Sequence, residues 1–195
     1  MTKCDFTRLD LGCSYHKKAD YLGIDILKTQ DVDVLADASA LPFADNCFEK
    51  VFSQYVLEHI ADNLAVLREL YRVCRNGAQI HLILPHATCP AFYDDITHVH
   101  KYTTRTWEHF DHDLHAITGH PNYLPEVNFK LVHFELRWWP PQVIAGKTRW
   151  KRVLLNSLNK LINSFAKRFP FFCERIWAQW VGGFYEIEYL LKVIK

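Results

Sequence analysis

An α/β fold with a mainly parallel sheet is what the sequence predicts, and three observations predict it. Short apolar runs bounded by turn residues recur through the first half of the chain, as buried parallel strands do. A helix-periodic segment lies between two of these runs, giving the alternation of strand and helix that builds such sheets. At 195 residues, the chain suits a single domain, residues 1–195, with room for one sizeable core.

Taken in order, Arg8-Leu9-Asp10-Leu11 is the first strand and stops at Gly12-Cys13-Ser14. Tyr21-Leu22-Gly23-Ile24-Asp25 is the second and ends in a carboxylate. A glycine turn beside an acid at the tip of the neighbouring strand makes a nucleotide site: the glycine permits close approach to the backbone, and the carboxylate can accept from both ribose hydroxyls. Too few residues separate Gly12 from Gly23 for a normal crossover helix, so Lys17 and Lys18 should edge a loop. Residues 32–37 read as a third strand, 38–46 as a loop with a polar turn, and 47–53 as a fourth strand that leads through Gln54-Tyr55 into a helix.

That helix is expected over residues 57–73, with Leu57, Ile60, Leu64, Leu67, Leu70, Tyr71 and Val73 at helical spacing and Asp62, Arg68, Glu69 and Arg72 mostly elsewhere. Arg75-Asn76-Gly77 reads as its stop, and residues 79–85 as a fifth strand. Residues 86–128 are irregular and rich in histidine, aspartate and aromatics, with one modest helix near 104–115; such a segment suits a lid or binding loop. Strand character returns at 129–136 and ends at Trp138-Trp139-Pro140-Pro141. Residues 140–183 are a second insertion on the substrate side, and 185–194 are the last strand.

Composition narrows the function. A net charge of +1 argues against a general nucleic-acid binder. The six cysteines, Cys4, Cys13, Cys47, Cys74, Cys89 and Cys173, show no C-x-x-C pairing and are expected to be reduced and mostly buried. The first six residues lack the apolar core of a signal peptide, and no stretch is long and apolar enough to span a bilayer, so a cytoplasmic protein is expected.

Several of these features, in this order, resemble class I S-adenosylmethionine-dependent methyltransferases, in the compact branch with a type-11 methyltransferase domain. Leu9-Asp10-Leu11-Gly12-Cys13 is similar to the family's first motif, Asp25 to its ribose-binding acid, and Asp37-Ala38 to the pair beside adenine. Leu41-Pro42-Phe43 with Asp45, and Val56-Leu57-Glu58-His59, resemble the loop and helix start around the fourth strand. Arg75-Asn76-Gly77-Ala78 stands where the family often has Pro-Gly-Gly, and Ser14 replaces the second glycine of the usual Gly-x-Gly. The resemblance covers residues 8 to about 85 well and the remainder in outline. It implies a doubly wound, Rossmann-like sheet of seven strands whose last strand inserts antiparallel near one edge.

The resemblance further implies S-adenosylmethionine as cofactor, bound by Asp10, Gly12, Cys13, Ser14, Asp25, Ile26, Asp37, Ala38, Ser39, Ser53, Gln54 and Tyr55. The acceptor is expected to be a small molecule or a sugar-containing metabolite. His98, in the Asp94–Thr103 stretch, is the candidate base or substrate ligand, with Tyr15, His59 and His100 behind it. Asp94, Asp95, His98, His100, His109 and His112 are possible metal ligands by type, yet no spacing fixes a third ligand, and no metal is expected. A non-catalytic module binding the same cofactor is the alternative. A nicotinamide-dependent oxidoreductase fits less well, because Gly12-Cys13-Ser14-Tyr15-His16-Lys17 fails Gly-x-Gly-x-x-Gly after its first position.

Residues 150–169 are amphipathic, with Trp150, Leu154, Leu158, Leu161, Ile162, Phe165 and Phe169 on one face and Lys151, Arg152, Asn159, Lys160, Asn163 and Lys167 largely on the other. Packing of the apolar face within the domain is the expectation. Peripheral membrane contact through residues 147–175 is the alternative.

Overall fold

The computed structural model describes residues 6–139, 144–145 and 147–195. Cys4 and the rest of the first five residues, and Pro140 and Pro141 of the strand-ending motif, lie outside them. Seven strands form one sheet in the order β3-β2-β1-β4-β5-β7-β6. They are β1 Arg8–Leu11, β2 Leu22–Asp25, β3 Val34–Leu35, β4 Phe48–Gln54, β5 Cys74–Pro85, β6 Phe129–Arg137 and β7 Glu186–Val193. The first five run parallel, and β7 lies between β5 and β6, antiparallel to both. Ile187, Tyr189, Leu191 and Val193 of β7 are buried, as an interior strand flanked on both sides requires.

No helix joins β1 to β2, in keeping with the short spacing there. The loop is held instead by polar contacts: the Lys18 N–H donates to Asp10 Oδ2 at 2.6 Å, and Lys17 pairs with Asp33 at 2.8 Å. Asp33 also accepts from the Gly23 N–H at 2.8 Å. A Cβ at Gly23 would meet Cys13 Sγ and Lys17 Cδ at 2.7 Å, so the glycine is what lets this loop close against β2.

The helix expected over 57–73 is two elements. A single 3-10 turn at Leu57–His59 is followed, after a break, by α1 at Asn63–Val73. Asp62 causes the restart, because its side chain caps the helix by accepting from the Ala65 N–H at 2.9 Å. Within α1, Val66 is buried and Leu64 turns outward, a shift of the apolar face from the one the spacing predicts. Nor does Arg75-Asn76-Gly77 stop the helix: β5 begins at Cys74, and these residues form an irregularity inside it, between the pairs Phe48–Cys74 and Lys50–Gln79. Gly77 there has φ +83°.

Arg72, read as a surface residue, ties the 41–45 loop to α1. Its guanidinium holds Glu69 and Asp45 and donates to the carbonyls of Phe43 and Leu41. Glu69 returns the tie by accepting from the Leu41 N–H at 2.7 Å.

In the 86–128 segment, a 3-10 turn at Thr106–His109 and a helix α2 at His112–Thr118 replace the single helix expected near 104–115. Asp111 separates them and caps α2 through the N–H groups of Asp113 and Leu114. Tyr102, Trp107, Phe110, Leu124 and Val127 from this segment are buried in the main core.

A long helix, α3 at Arg149–Arg168, runs where the amphipathic pattern places it, but its apolar face points the other way. Trp150, Leu154, Leu158, Leu161, Phe165 and Phe169 are exposed, and Ala166 is the one fully buried residue. Asn159 and Asn163, assigned to the outer face by pattern, turn inward and bond the backbone of Trp139 and Trp138. Packing of the apolar stripe within the domain is therefore corrected.

Cys13, Cys74 and Cys173 are buried free thiols. Cys47 is buried as well.

Candidate functional site

A cleft of about 540 Å³ opens at the carboxyl ends of β1, β2 and β3, where ligands bind in sheets of this kind. Its walls include Gly12, Ser14, Asp25, Ile26, Asp37, Ala38 and Tyr55 from the expected cofactor residues. Asp10, Cys13, Ser39, Ser53 and Gln54 do not line it. Asp10 and Ser53 are buried beneath, Ser53 Oγ donating to the Leu11 carbonyl at 3.0 Å, and the Cys13 thiol is turned toward the Asp31 carbonyl. Ser39 instead holds Asp37 Oδ1 through its N–H and hydroxyl, which draws the Asp37 carboxyl below its ordinary pKa.

The β1–β2 turn is built by backbone geometry. The N–H groups of Gly12 and Cys13 both donate to the Ile24 carbonyl, at 2.8 and 3.1 Å. Gly12 has φ +75°, and the volume a Cβ would occupy is held by the Val56 side chain, 2.2 Å away. Ser14 also adopts a positive φ, +45°, which is the conformation the family's second glycine would take without strain. Its N–H donates to Asp25 Oδ2 at 3.0 Å, while Asp25 Oδ1 accepts from the Leu27 N–H at 2.8 Å. Each oxygen is thus fixed by one backbone donor and keeps acceptor capacity for a diol.

Apolar side chains missed by sequence reasoning complete the walls: Ile24, Leu27, Val56 and Ile60. Their signal was weak because each belongs to an apolar run that reads as core. Acceptors at Asp25 and Asp37 between apolar walls fit the ribose and adenine of a nucleoside.

His59 also lines the cleft. Its Nδ1 is 2.7 Å from Thr97 Oγ1, and that hydroxyl donates to Asp95 Oδ1 at 2.6 Å. The His98 ring stands 4.7 Å from the His59 ring, centroid to centroid. His98 does not line the cleft itself. Its Nδ1 donates to the Phe92 carbonyl at 3.1 Å, which leaves Nε2 as the basic nitrogen of the neutral ring. Burial lowers the pKa of His59, with the neighbouring His98 adding to the effect.

Behind the pair sits Glu58, fully buried with no hydrogen-bond partner for either carboxylate oxygen. Burial pushes its pKa up to about 7. The Glu58 carbonyl accepts from the N–H of Val99 at 2.8 Å, which docks the 97–100 strand of chain onto the 3-10 turn. Glu58, His59 and His98 each offer a ligand atom within 4.8 Å of the others, the one such group among the described residues. Of the other candidates, His100 is pinned by Nε2 to the Ala61 carbonyl at 3.0 Å, and Tyr15 is exposed.

Residues 9–82 match the family model described as a methyltransferase domain. A ubiquinone/menaquinone biosynthesis C-methyltransferase, UbiE, from Xylella fastidiosa (strain M23) is 33% identical over 69 residues, 35% of this chain and 27% of that protein. A demethylmenaquinone methyltransferase from Listeria welshimeri is 33% identical over 85 residues, 43% of this chain and 33% of that protein. The chain thus spans about a third or less of the curated relatives it matches. A solved SAM-dependent methyltransferase from Methanosarcina mazei superposes with a TM-score of 0.53 at 14% identity, over 99% of this chain and 94% of that one, which is a likeness of fold. The chain thus resembles class I S-adenosylmethionine-dependent methyltransferases in sequence over residues 9–82, and its sheet order and superposition give a likeness of fold.

Proposed function

We propose that this chain is an S-adenosylmethionine-dependent methyltransferase acting on a small-molecule acceptor, a sugar hydroxyl among the candidates. The observation that carries the reading is Asp25 at the tip of β2, its two oxygens held by the N–H groups of Ser14 and Leu27 at the cleft wall. Bound in that cleft, S-adenosylmethionine supplies an electrophilic methyl group on a sulfonium. Asp25 then accepts from the ribose hydroxyls, and Asp37, Ala38 and Ile26 border the base. Tyr55, Val56 and Ile60 cover the opposite side and exclude water.

The acceptor's proton goes to the His59–His98 pair. His98 Nε2 is the basic atom, and His59 lies between it and the cleft, so a proton leaving an acceptor oxygen can be held on either imidazole. The 86–128 segment has its substrate-side role through this contact. UbiE is named for C-methylation in ubiquinone/menaquinone biosynthesis, and the Listeria enzyme for methylation of demethylmenaquinone. An acceptor with an ionisable hydroxyl is the chemistry that a histidine base serves. A cytoplasmic location belongs to the same proposal.

Isothermal titration with S-adenosylhomocysteine tests the first part. Asp25→Ala should weaken binding by about tenfold or more, the loss expected when charged hydrogen bonds go; unchanged affinity removes Asp25 from the site. Labelled methyl transfer tests the second: His98→Gln and His59→Gln should lower turnover about 100-fold and leave that affinity within twofold. Binding without transfer to any acceptor would favour the non-catalytic module. Turnover abolished by a chelator and restored by a divalent ion would instead make Glu58, His59 and His98 ligands.

A further inference from the structure

The outer face of α3 is an extended apolar feature that the proposed reaction leaves unused. Asn159 and Asn163 clamp the helix to the backbone of Trp138 and Trp139, and this fixes which face looks outward. The outward face carries Trp150, Leu154, Leu158, Leu161 and Phe165, with Trp150 at 66% and Leu161 at 69% exposure. The stripe continues past the helix, where Phe165 meets Phe169 and Phe172 at ring distances of 5.1 and 5.9 Å and Trp180 stands 86% exposed. Monomeric proteins rarely leave so large a contiguous apolar patch in water.

The charges around the stripe have one sign. Eight lysines and arginines occur from Lys147 to Arg175, all of them exposed, and no carboxylate occurs from Trp138 to Cys173. Glu174, the first acid afterwards, is turned inward onto Thr104. Among the described residues, none of the eight cations is in a salt bridge. Lys151 and Arg168 lie over Trp150 and Phe169, at 5.5 and 5.3 Å from the ring centroids, so cationic heads sit at the rim of the apolar stripe. A second copy docked on this face through a twofold axis would bring two unpaired basic rims together. An anionic lipid surface neutralises them.

We infer that α3 and the aromatic segment after it seat the protein on an anionic lipid bilayer, the apolar stripe entering the headgroup boundary and the cations pairing with lipid phosphates. No helix among the described residues is long and apolar enough to cross a membrane, so the helix lies in the plane of the surface. Tryptophan at such a boundary keeps its ring in the apolar layer and its N–H in water. This inference stands on the helix alone and does not depend on the methyl-transfer reading.

Co-sedimentation of the full chain with vesicles tests it. The chain should pellet with phosphatidylcholine vesicles carrying about a third phosphatidylglycerol and stay largely in solution with phosphatidylcholine alone. Lys160→Gln with Lys167→Gln should weaken anionic-vesicle binding about 25-fold, about fivefold for each cation removed. Leu154→Ser with Leu161→Ser should abolish pelleting while the circular dichroism stays unchanged, because both side chains are exposed. Absence of binding to either vesicle overturns the inference. So does a concentration-dependent dimer in light scattering that the Leu154/Leu161 double variant abolishes, since a second copy would then be the occupant.

Discussion

Glu58 is the residue whose chemistry departs furthest from its sequence context. A glutamate following Leu57 at a helix start reads as a solvated first-turn acid, yet the 3-10 turn and the docked 97–100 segment bury it completely. Its pKa rises from 4.5 to about 7 because burial penalises the charged form, so the folded chain holds a proton there that the unfolded chain has released. Stability should therefore fall as pH rises through that window, by about 3 kcal/mol for a shift of this size, and be flat with respect to this group below pH 4.5. Glu186, raised to about 7 by burial and by the adjacent Glu188, adds a slope of the same sign. Urea unfolding at pH 5 and pH 8 should show Glu58→Gln losing much less stability between the two than the parent chain, with the Glu186 slope left. Parallel profiles for the two proteins would mean that Glu58 is ionised throughout.

At the scale of elements, the site turns on two neighbouring positive-φ residues that respond oppositely to substitution. Gly12→Ala puts a methyl group into the space of Val56 at φ +75°, and thermal melts should show a loss of about 2–3 kcal/mol. Ser14→Gly relaxes a residue already at φ +45° and should stay within about 1 kcal/mol of the parent, because relief of strain offsets the freer unfolded chain. Equal losses in both would mean that the turn is not held by backbone geometry. The same turn explains what was legible. Glycine, acid and strand are local signals, so Gly12 and Asp25 could be placed at one site from the sequence, whereas Asp37 followed from the family resemblance. The break before α1 was not legible, since apolar residues at helical spacing suit one helix or two, and the Asp62 cap alone decides between them. Nor was the orientation of α3: a pattern defines an apolar face, and the direction of that face was set by Asn159 and Asn163 reaching partners about 20 residues earlier. The Glu58–His59–His98 group joins segments about 40 residues apart, and only the fold brings them together.

For the whole molecule, the two segments read as insertions should differ in what they contribute to stability. Trp107 is 1% exposed, and its ring meets Phe110, Phe129 and Tyr189 at centroid distances of 5.7, 6.2 and 5.8 Å. Phe129 opens β6 and Tyr189 is central to β7, so the indole joins the 86–128 segment to the antiparallel edge of the sheet. Tyr189 adds a polar tie, its hydroxyl donating to the Thr103 carbonyl at 2.5 Å. Truncating a buried indole costs about 3–5 kcal/mol, which for a chain of this size lowers Tm by about 10 °C. Leu161 on α3 is apolar too, but it already faces water, and Leu161→Ser should move Tm by no more than about 2 °C. A Trp107→Ala protein that melts at the parent temperature while losing turnover would make 86–128 a detachable lid. A single transition shifted downward, with Leu161→Ser superposing on the parent, shows that the segment carrying His98 is stabilised by the same core as the sheet, and that His98 is held against His59 by the rigidity of that core.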